Sequence, residues 1–182
     1  DFICSTQYSF AHMVELASNS ISKQPAQLIQ TKLTVSNEEY KLKAAFIFRF
    51  IQLVDNNWLG QDNVIDLCVS GNEKVVKTFN EMGINNIKGK EIKISYNDMD
   101  FKNCNVIYFT QLEEEKTKQA LSVLQDSNLL TIGETRYFND DGGIVQFYKY
   151  RGRVKFYINA EAAKQNNIIF NAKLLELGNI RE

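Results

Sequence analysis

Any chemistry in this chain would have to be assembled from few reactive groups. The sequence holds one histidine, His12, and three cysteines, Cys4, Cys68 and Cys104. No CxxC spacing occurs and no histidine lies near a cysteine pair, so neither a redox dithiol nor a zinc site is indicated. P-loop, dinucleotide-type glycine turn and nucleophile elbow are also missing. Two acidic clusters remain. Glu113-Glu114-Glu115 follows Thr110, and the Thr110-x-x-Glu113 spacing predicts a capping box whose carboxylates complement a helix dipole. Asp140-Asp141-Gly142-Gly143 lacks the alternating oxygen ligands of a calcium loop and reads as a solvated turn. No catalytic residue, metal or cofactor is expected.

The cysteines admit two readings. In an oxidising compartment two would pair, and a bridge across the 36 residues from 68 to 104 (104 − 68 = 36) would stabilise the fold by about 4 kcal/mol on a chain-entropy argument. In a reducing compartment Cys68 and Cys104 would be two small buried hydrophobes. Sequence spacing alone favours neither.

These groups must be positioned by the patterned part of the chain. Residues 1–35 are rich in Ser, Thr, Gln and Asn, contain the sole proline, Pro25, and read as an extension with a helical stretch over Ser9 to Ala17. Ser9-Phe10-Ala11 places small residues where a signal peptidase reads them, which suits an export leader, while a retained native extension suits the same residues. From Ser36 the sequence is expected to form a single α/β domain to residue 182. Ser36-Asn37-Glu38-Glu39 has capping-box spacing, with Val35 and Tyr40 at staple positions, which predicts a helix start. From Tyr40 to Val54 apolar residues cover more than one stripe, so the helix needs cover on two sides. Burial within the monomer and an interface for a dimer or partner are equally weighted there. The candidate interface residues are Phe46, Phe48, Arg49, Phe50 and Ile51.

Strands are predicted over Val64 to Ser70, Glu91 to Tyr96, Val106 to Thr110 and Leu129 to Ile132, and helices over Glu73 to Met82 and Glu113 to Leu124. This is βαβ order, and Glu91 to Tyr96 alternates as an edge strand does. Ile144 to Tyr150 and Arg153 to Ile158 flank Arg151-Gly152 and predict an antiparallel hairpin closing the sheet. A short helix capped by Asn159 and a last helical turn around Leu174, Leu175 and Leu177 follow. The expected fold is α/β: one three-layer-like domain with a mixed, mainly parallel sheet, a closing antiparallel hairpin and flanking helices. In such sheets small ligands collect at the carboxyl ends of the strands. The candidate pocket is therefore Ser70, Gly71, Asn72, Thr110, Gln111, Gly133 and Glu134, against the simpler reading that Gly71 and Gly133 only turn the chain.

Composition narrows the partners. With 21 basic and 22 acidic residues the net charge is −1, so no overall field draws nucleic acid or an anionic membrane. No apolar run approaches bilayer length.

Along its ordered length the chain resembles the YfiR family. The matching segments are Tyr40-Lys41-Leu42-Lys43-Ala44-Ala45-Phe46, Leu67-Cys68-Val69 with Gly71, Lys88-Gly89-Lys90 and Cys104-Asn105-Val106-Ile107-Tyr108-Phe109. They continue with Leu130-Thr131-Ile132-Gly133-Glu134, Gly142-Gly143-Ile144-Val145, Arg153-Val154-Lys155-Phe156-Tyr157-Ile158-Asn159, Ala162-Ala163 and Lys173-Leu174-Leu175-Glu176-Leu177. Each is short, and their shared order carries the resemblance. It implies a periplasmic, non-enzymatic regulator, often a homodimer. Such a protein binds and represses an inner-membrane diguanylate cyclase through its extracytoplasmic domain, lowering cyclic di-GMP and biofilm formation until an OmpA-like outer-membrane lipoprotein sequesters it. The resemblance also implies a Cys68–Cys104 disulfide, since both match the family's positions for one. A second cysteine pair that some members carry between Gly133 and Gly152 is missing here, and the extension bearing Cys4 has no counterpart. The alternative function is a periplasmic small-molecule sensor acting on a sensor kinase or cyclase through the strand-end pocket.

Overall fold

The computed structural model describes residues 25–110 and 113–181. Cys4, His12, Gln111 and the helix expected over Ser9 to Ala17 lie outside the described residues.

The first helix, α1, spans Pro25–Leu53. Proline suits a first helical turn, where its missing N–H forfeits no bond. Neither glycine nor a second proline interrupts the chain before Gly60. The helix therefore runs straight through Ser36, which corrects the expected start there. The capping-box spacing is overridden because Ala26, Gln27, Leu28, Gln30, Lys32 and Leu33 are themselves good helix formers.

After α1 come β1 (Val64–Ser70), α2 (Lys74–Glu81), β2 (Asn86–Ile87), β3 (Lys90–Tyr96), β4 (Val106–Phe109) and α3 (Glu114–Val123). The chain continues through β5 (Leu130–Gly133), β6 (Val145–Tyr150), β7 (Arg153–Asn159), α4 (Ala160–Gln165), α5 (Ala172–Leu177) and β8 (Asn179–Arg181). The strands form one sheet in the order β2-β3-β1-β4-β5-β6-β7-β8. Strands β3, β1, β4, β5 and β6 run parallel, β7 returns antiparallel to β6, and β8 is parallel to β7. The fold is thus the α/β architecture expected, with a mixed, mainly parallel sheet and a closing hairpin. β3 was expected at the edge, and only the two-residue β2 lies beyond it, paired antiparallel at Lys90 and Glu91.

Helices cover both faces of the sheet, unequally. On one side Ile47, Phe50 and Ile51 of α1, with Val54 just after it, pack with Val106, Tyr108, Ile132, Phe147 and Phe156 of the strands, and α2 joins through Phe79. On the other, Ala120 and Leu121 of α3 cover Cys68, Ile107, Phe109 and Phe138. The β6–β7 turn puts Arg151 at φ 50 and Gly152 at φ 74, the two positive values that a two-residue turn matching strand twist requires. Lys88 (φ 55) and Gly89 (φ 76) make the same kind of turn between β2 and β3.

The capping box expected at Thr110 does not form. Helix α3 begins at Glu114 with Glu113 in the cap position and no side-chain cap bond. The Thr110 hydroxyl is engaged elsewhere, donating to the Ser70 carbonyl at 3.0 Å and accepting from the Asn72 amide at 2.7 Å. Asn159 does cap α4, accepting from the Ala162 amide at 3.0 Å.

Candidate functional site

Cys68 lies in the middle of β1 and Cys104 just before β4, and these strands are neighbours in the sheet. The two cysteines form a disulfide with Cα atoms 5.9 Å apart. Asn97 lies against both sulfurs, at 3.0 Å from Cys68 Sγ and 3.4 Å from Cys104 Sγ. The bridge ties β1 to the connection that leads into β4 and closes a 36-residue separation, long enough for about 4 kcal/mol of stabilisation.

At the carboxyl ends of the strands, the residues expected to line a pocket are packed on one another. Ser70, Thr110 and Gly133 are buried and Glu134 is half-buried. Gly71 sits at φ +103 directly over the Thr110 carbonyl, where a Cβ would clash with that oxygen. Gly133 and Gly143 flank the Phe138 ring, and a Cβ on either would run into it. Both glycines therefore exist to admit one aromatic side chain, a role beyond turning the chain. The Thr110 bonds just described tie the ends of β1 and β4 together. Ser70 Oγ finds no hydrogen-bond partner among the described residues.

Glu134 belongs instead to a charged network beneath α1. Lys43, 6% exposed, reaches down from the helix to place its ammonium 2.8 Å from Glu134 and 2.8 Å from Glu39. Lys149 on β6 meets the other Glu39 oxygen at 2.5 Å, and the Tyr108 hydroxyl donates to Glu134. The Tyr40 and Phe147 rings lie 5.3 and 5.9 Å from the Lys43 nitrogen, within cation–π range. Two cations thus balance two carboxylates, the arrangement that partial burial of charge demands. Burial alone would raise the Glu39 carboxyl, but hydrogen bonds and charge from Lys149 and Lys43 outweigh it and hold its pKa below the usual value. Burial, then the Glu134 charge and its hydrogen bond, push the Tyr108 phenol well above 10.0, so it remains a proton donor. Sequence reading missed this network. Its trace was a lysine four residues after a glutamate, the spacing of a helical ion pair, on a helix otherwise too apolar to need one.

The five candidate interface residues of α1 are divided by the fold. Phe50 and Ile51 are wholly buried and Phe48 is 5% exposed, against Phe79 of α2 with ring centroids 6.1 Å apart. Phe46 is half-buried and Arg49 is exposed, bonded to Gln52. Two elements supply the second cover that the helix requires: α2 on one flank, and on the other the chain after α4, joined by the Asn171 amide to the Leu53 carbonyl at 2.8 Å. The apolar excess of α1 is thus accounted for within the monomer at three of the five positions.

Pairing in the β6–β7 hairpin fixes which side chains share a face. Phe147 opposite Phe156 points toward α1, with ring centroids to Phe50 of 6.0 and 4.8 Å. Tyr148 opposite Lys155, Tyr150 opposite Arg153 and Gln146 opposite Tyr157 point away. Gln146 at the base of this outer face is buried by the loop after β5, donating to the Arg136 carbonyl and accepting from the Asn139 amide. At the amino ends of β1 and β4, Asp62, Asn63, Asp66, Lys102, Asn103 and Asn105 line a polar cleft of about 480 Å³. Among the described residues no cluster of three or more His, Cys, Asp or Glu could hold a metal, and no helix is long and apolar enough to cross a membrane.

A family model described as YfiR/HmsC-like matches residues 40–179. The match begins at the Tyr40 turn of α1 and ends as β8 begins. The crystal structure of a conserved domain protein from Vibrio cholerae O1 biovar El Tor has a similar fold, with a TM-score of 0.56 at 11% identity. That similarity covers 79% of this chain and 60% of the Vibrio one, so the chain spans about three fifths of that protein's length. The ABC domain in complex with L-Trp from Streptococcus pneumonia aligns at a TM-score of 0.49 and 12% identity, over 73% of this chain and 58% of its own. At such identities the likeness concerns fold. No curated protein matches the sequence.

Proposed function

The chain belongs to the YfiR/HmsC-like family of periplasmic regulators of cyclic di-GMP signalling, and from that premise we propose that it represses a membrane-bound diguanylate cyclase by binding the enzyme's extracytoplasmic domain. The family match over residues 40–179 carries this reading. Two features of the molecule support it. The Cys68–Cys104 disulfide suits an oxidising compartment. At the carboxyl ends of the strands Thr110 lies close against Gly71 and Phe138 against Gly133, a packing that favours recognition at the outer surface.

Repression of this kind needs a releasing agent. An OmpA-like outer-membrane lipoprotein that competes for the protein would supply it, and a homodimer would present two copies of each surface. Of the five candidate interface residues on α1, the exposed Arg49 and half-buried Phe46 are the ones available to such contacts. Deleting the gene in a strain that retains the cyclase should raise intracellular cyclic di-GMP and surface attachment. Unchanged levels would contradict the reading.

A small-molecule sensor is the second reading, favoured by the polar cleft beside Asp62, Asp66 and Lys102 at the amino ends of the strands. It requires saturable binding, so a thermal-shift screen in which no compound raises the melting temperature would remove it.

A further inference from the structure

Among the described residues no helix lies over the outer face of the β6–β7 hairpin. On that side of the sheet helix α3 packs with Cys68 of β1 and with Ile107 and Phe109 of β4, and the loop after β5 meets Gln146. Beyond Gln146 the face carries Tyr148, Tyr150, Arg153, Lys155 and Tyr157. Tyr148 and Tyr157 stack with centroids 4.1 Å apart at 10°, forming a flat aromatic surface. Tyr150 is 50% exposed, and Arg151 and Lys155 each hold their charge over its ring, at 5.2 and 5.3 Å. In the adjoining loop Arg136 lies 5.2 Å over Tyr137, which is 46% exposed.

The charge of this region departs from that of the chain. Between Asp141 and Glu161 the sequence carries four basic residues, Lys149, Arg151, Arg153 and Lys155, and no acidic one, in a protein of net charge −1. Only Lys149, on the inner face, has an ion-pair partner among the described residues. Cations laid on tyrosine rings, in a stretch of sequence that carries no carboxylate, make a surface that is both apolar and positive, the combination enriched at protein recognition sites.

We propose that the outer face of the β6–β7 hairpin is a docking surface for an acidic, extended segment of a partner protein, whose carboxylates pair with Arg153 and Lys155 while its stem lies across the tyrosines. Three observations favour a protein segment over a membrane or a nucleic acid. The hairpin tip, Arg151-Gly152, has no apolar side chain to insert into lipid. The Tyr148 and Tyr157 rings already stack on each other, leaving no gap for a base between them. Arginine and tyrosine together are the residues that anchor protein interfaces.

The proposal extends the repressor reading by assigning its contact surface, and the test separates the two. The full chain, its Arg153→Glu/Lys155→Glu variant and a Lys116→Glu/Lys118→Glu control on the exposed side of α3 are each titrated with the cyclase's extracytoplasmic domain, with poly-L-glutamate and with phosphatidylglycerol vesicles. The hairpin variant should bind poly-L-glutamate at least tenfold more weakly than the parent, with the control within twofold of the parent and all three melting within about 2 °C of one another. Equal weakening by the control would reduce the effect to net charge and overturn the proposal. So would an unaffected hairpin variant, a parent that fails to bind poly-L-glutamate, or a parent that prefers the vesicles. If poly-L-glutamate binds at the hairpin but the cyclase domain does not, the surface stands and the repressor reading falls. If the domain binds the parent and the hairpin variant equally, the repressor reading stands and the surface falls.

Discussion

The two faces of the β6–β7 hairpin are built from alternate residues of the same two strands, yet they are different materials. The inner face, apart from Lys149 toward its tip, is Val145, Phe147, Val154, Phe156 and Ile158, all at most 5% exposed and packed in the core with α1. The outer face beyond Gln146 is tyrosine, arginine and lysine, with Tyr150, Arg153 and Lys155 exposed. A period of two lets fourteen residues, 145 to 158, serve as wall and as contact surface at once. The inner set should therefore govern stability, and the outer set recognition.

The sharpest break of that comparison is Phe156→Ala. Its ring packs on Phe46 and Phe50 and fills the space above Gly178, where a Cβ would clash with it. Removing a buried phenylalanine from such a site should cost about 4 kcal/mol of unfolding free energy, measured by urea titration. A loss under about 1 kcal/mol would mean the inner face is not the wall described.

Next comes the charged network at the top of the same face. Lys43→Met removes the shared partner of Glu39 and Glu134 and leaves two mostly buried carboxylates facing each other. Breaking a buried pair in this way should cost about 3 kcal/mol. The network also predicts a pH dependence. Because the Glu39 carboxyl is held below its usual pKa in the folded state, its stabilising contribution is complete above the unfolded value and is lost as pH falls through the folded one. Melting temperature should drop on acidification below about pH 4.5, the ordinary carboxylate value, and Glu39→Gln should flatten that limb. An unchanged acid limb in the variant would show that other carboxylates set it.

The smallest stability effect belongs to the outer face. Tyr150→Ala removes a half-exposed ring and should change unfolding free energy by no more than about 0.5 kcal/mol. A larger loss would mean that this face is part of the wall as well.

How much of this could be read from the sequence depended on whether a residue's neighbours were local. Strands β1 and β4 were legible from their largely apolar runs, β3 from its alternation, and the hairpin because Arg151-Gly152 has turn chemistry. The strands β2 and β8 were not, since two and three residues carry no periodicity. The start of α1 was misplaced because a cap motif is only a local preference and the residues before it favoured helix as well. The packing role of two glycines was hidden for a different reason. Gly133 and Gly143 read as turn glycines until Phe138, brought between them by the loop, supplied the reason for both. Lys43 was legible as half of a helical ion pair with Glu39, while Glu134, 91 residues away, was visible only in three dimensions. The outer face of the hairpin was present as an alternation, but which half of it would go uncovered depended on where α3 and the loop after β5 lie.

The central claim is that this protein restrains a cyclase by contact. The most direct measurement is intracellular cyclic di-GMP in a deletion strain that keeps the cyclase, complemented with the parent gene or with Arg153→Glu/Lys155→Glu. Deletion should raise cyclic di-GMP, the parent should restore the low level, and the hairpin variant, present at equal abundance, should not. A deletion strain whose cyclic di-GMP equals that of the parent strain would contradict the account.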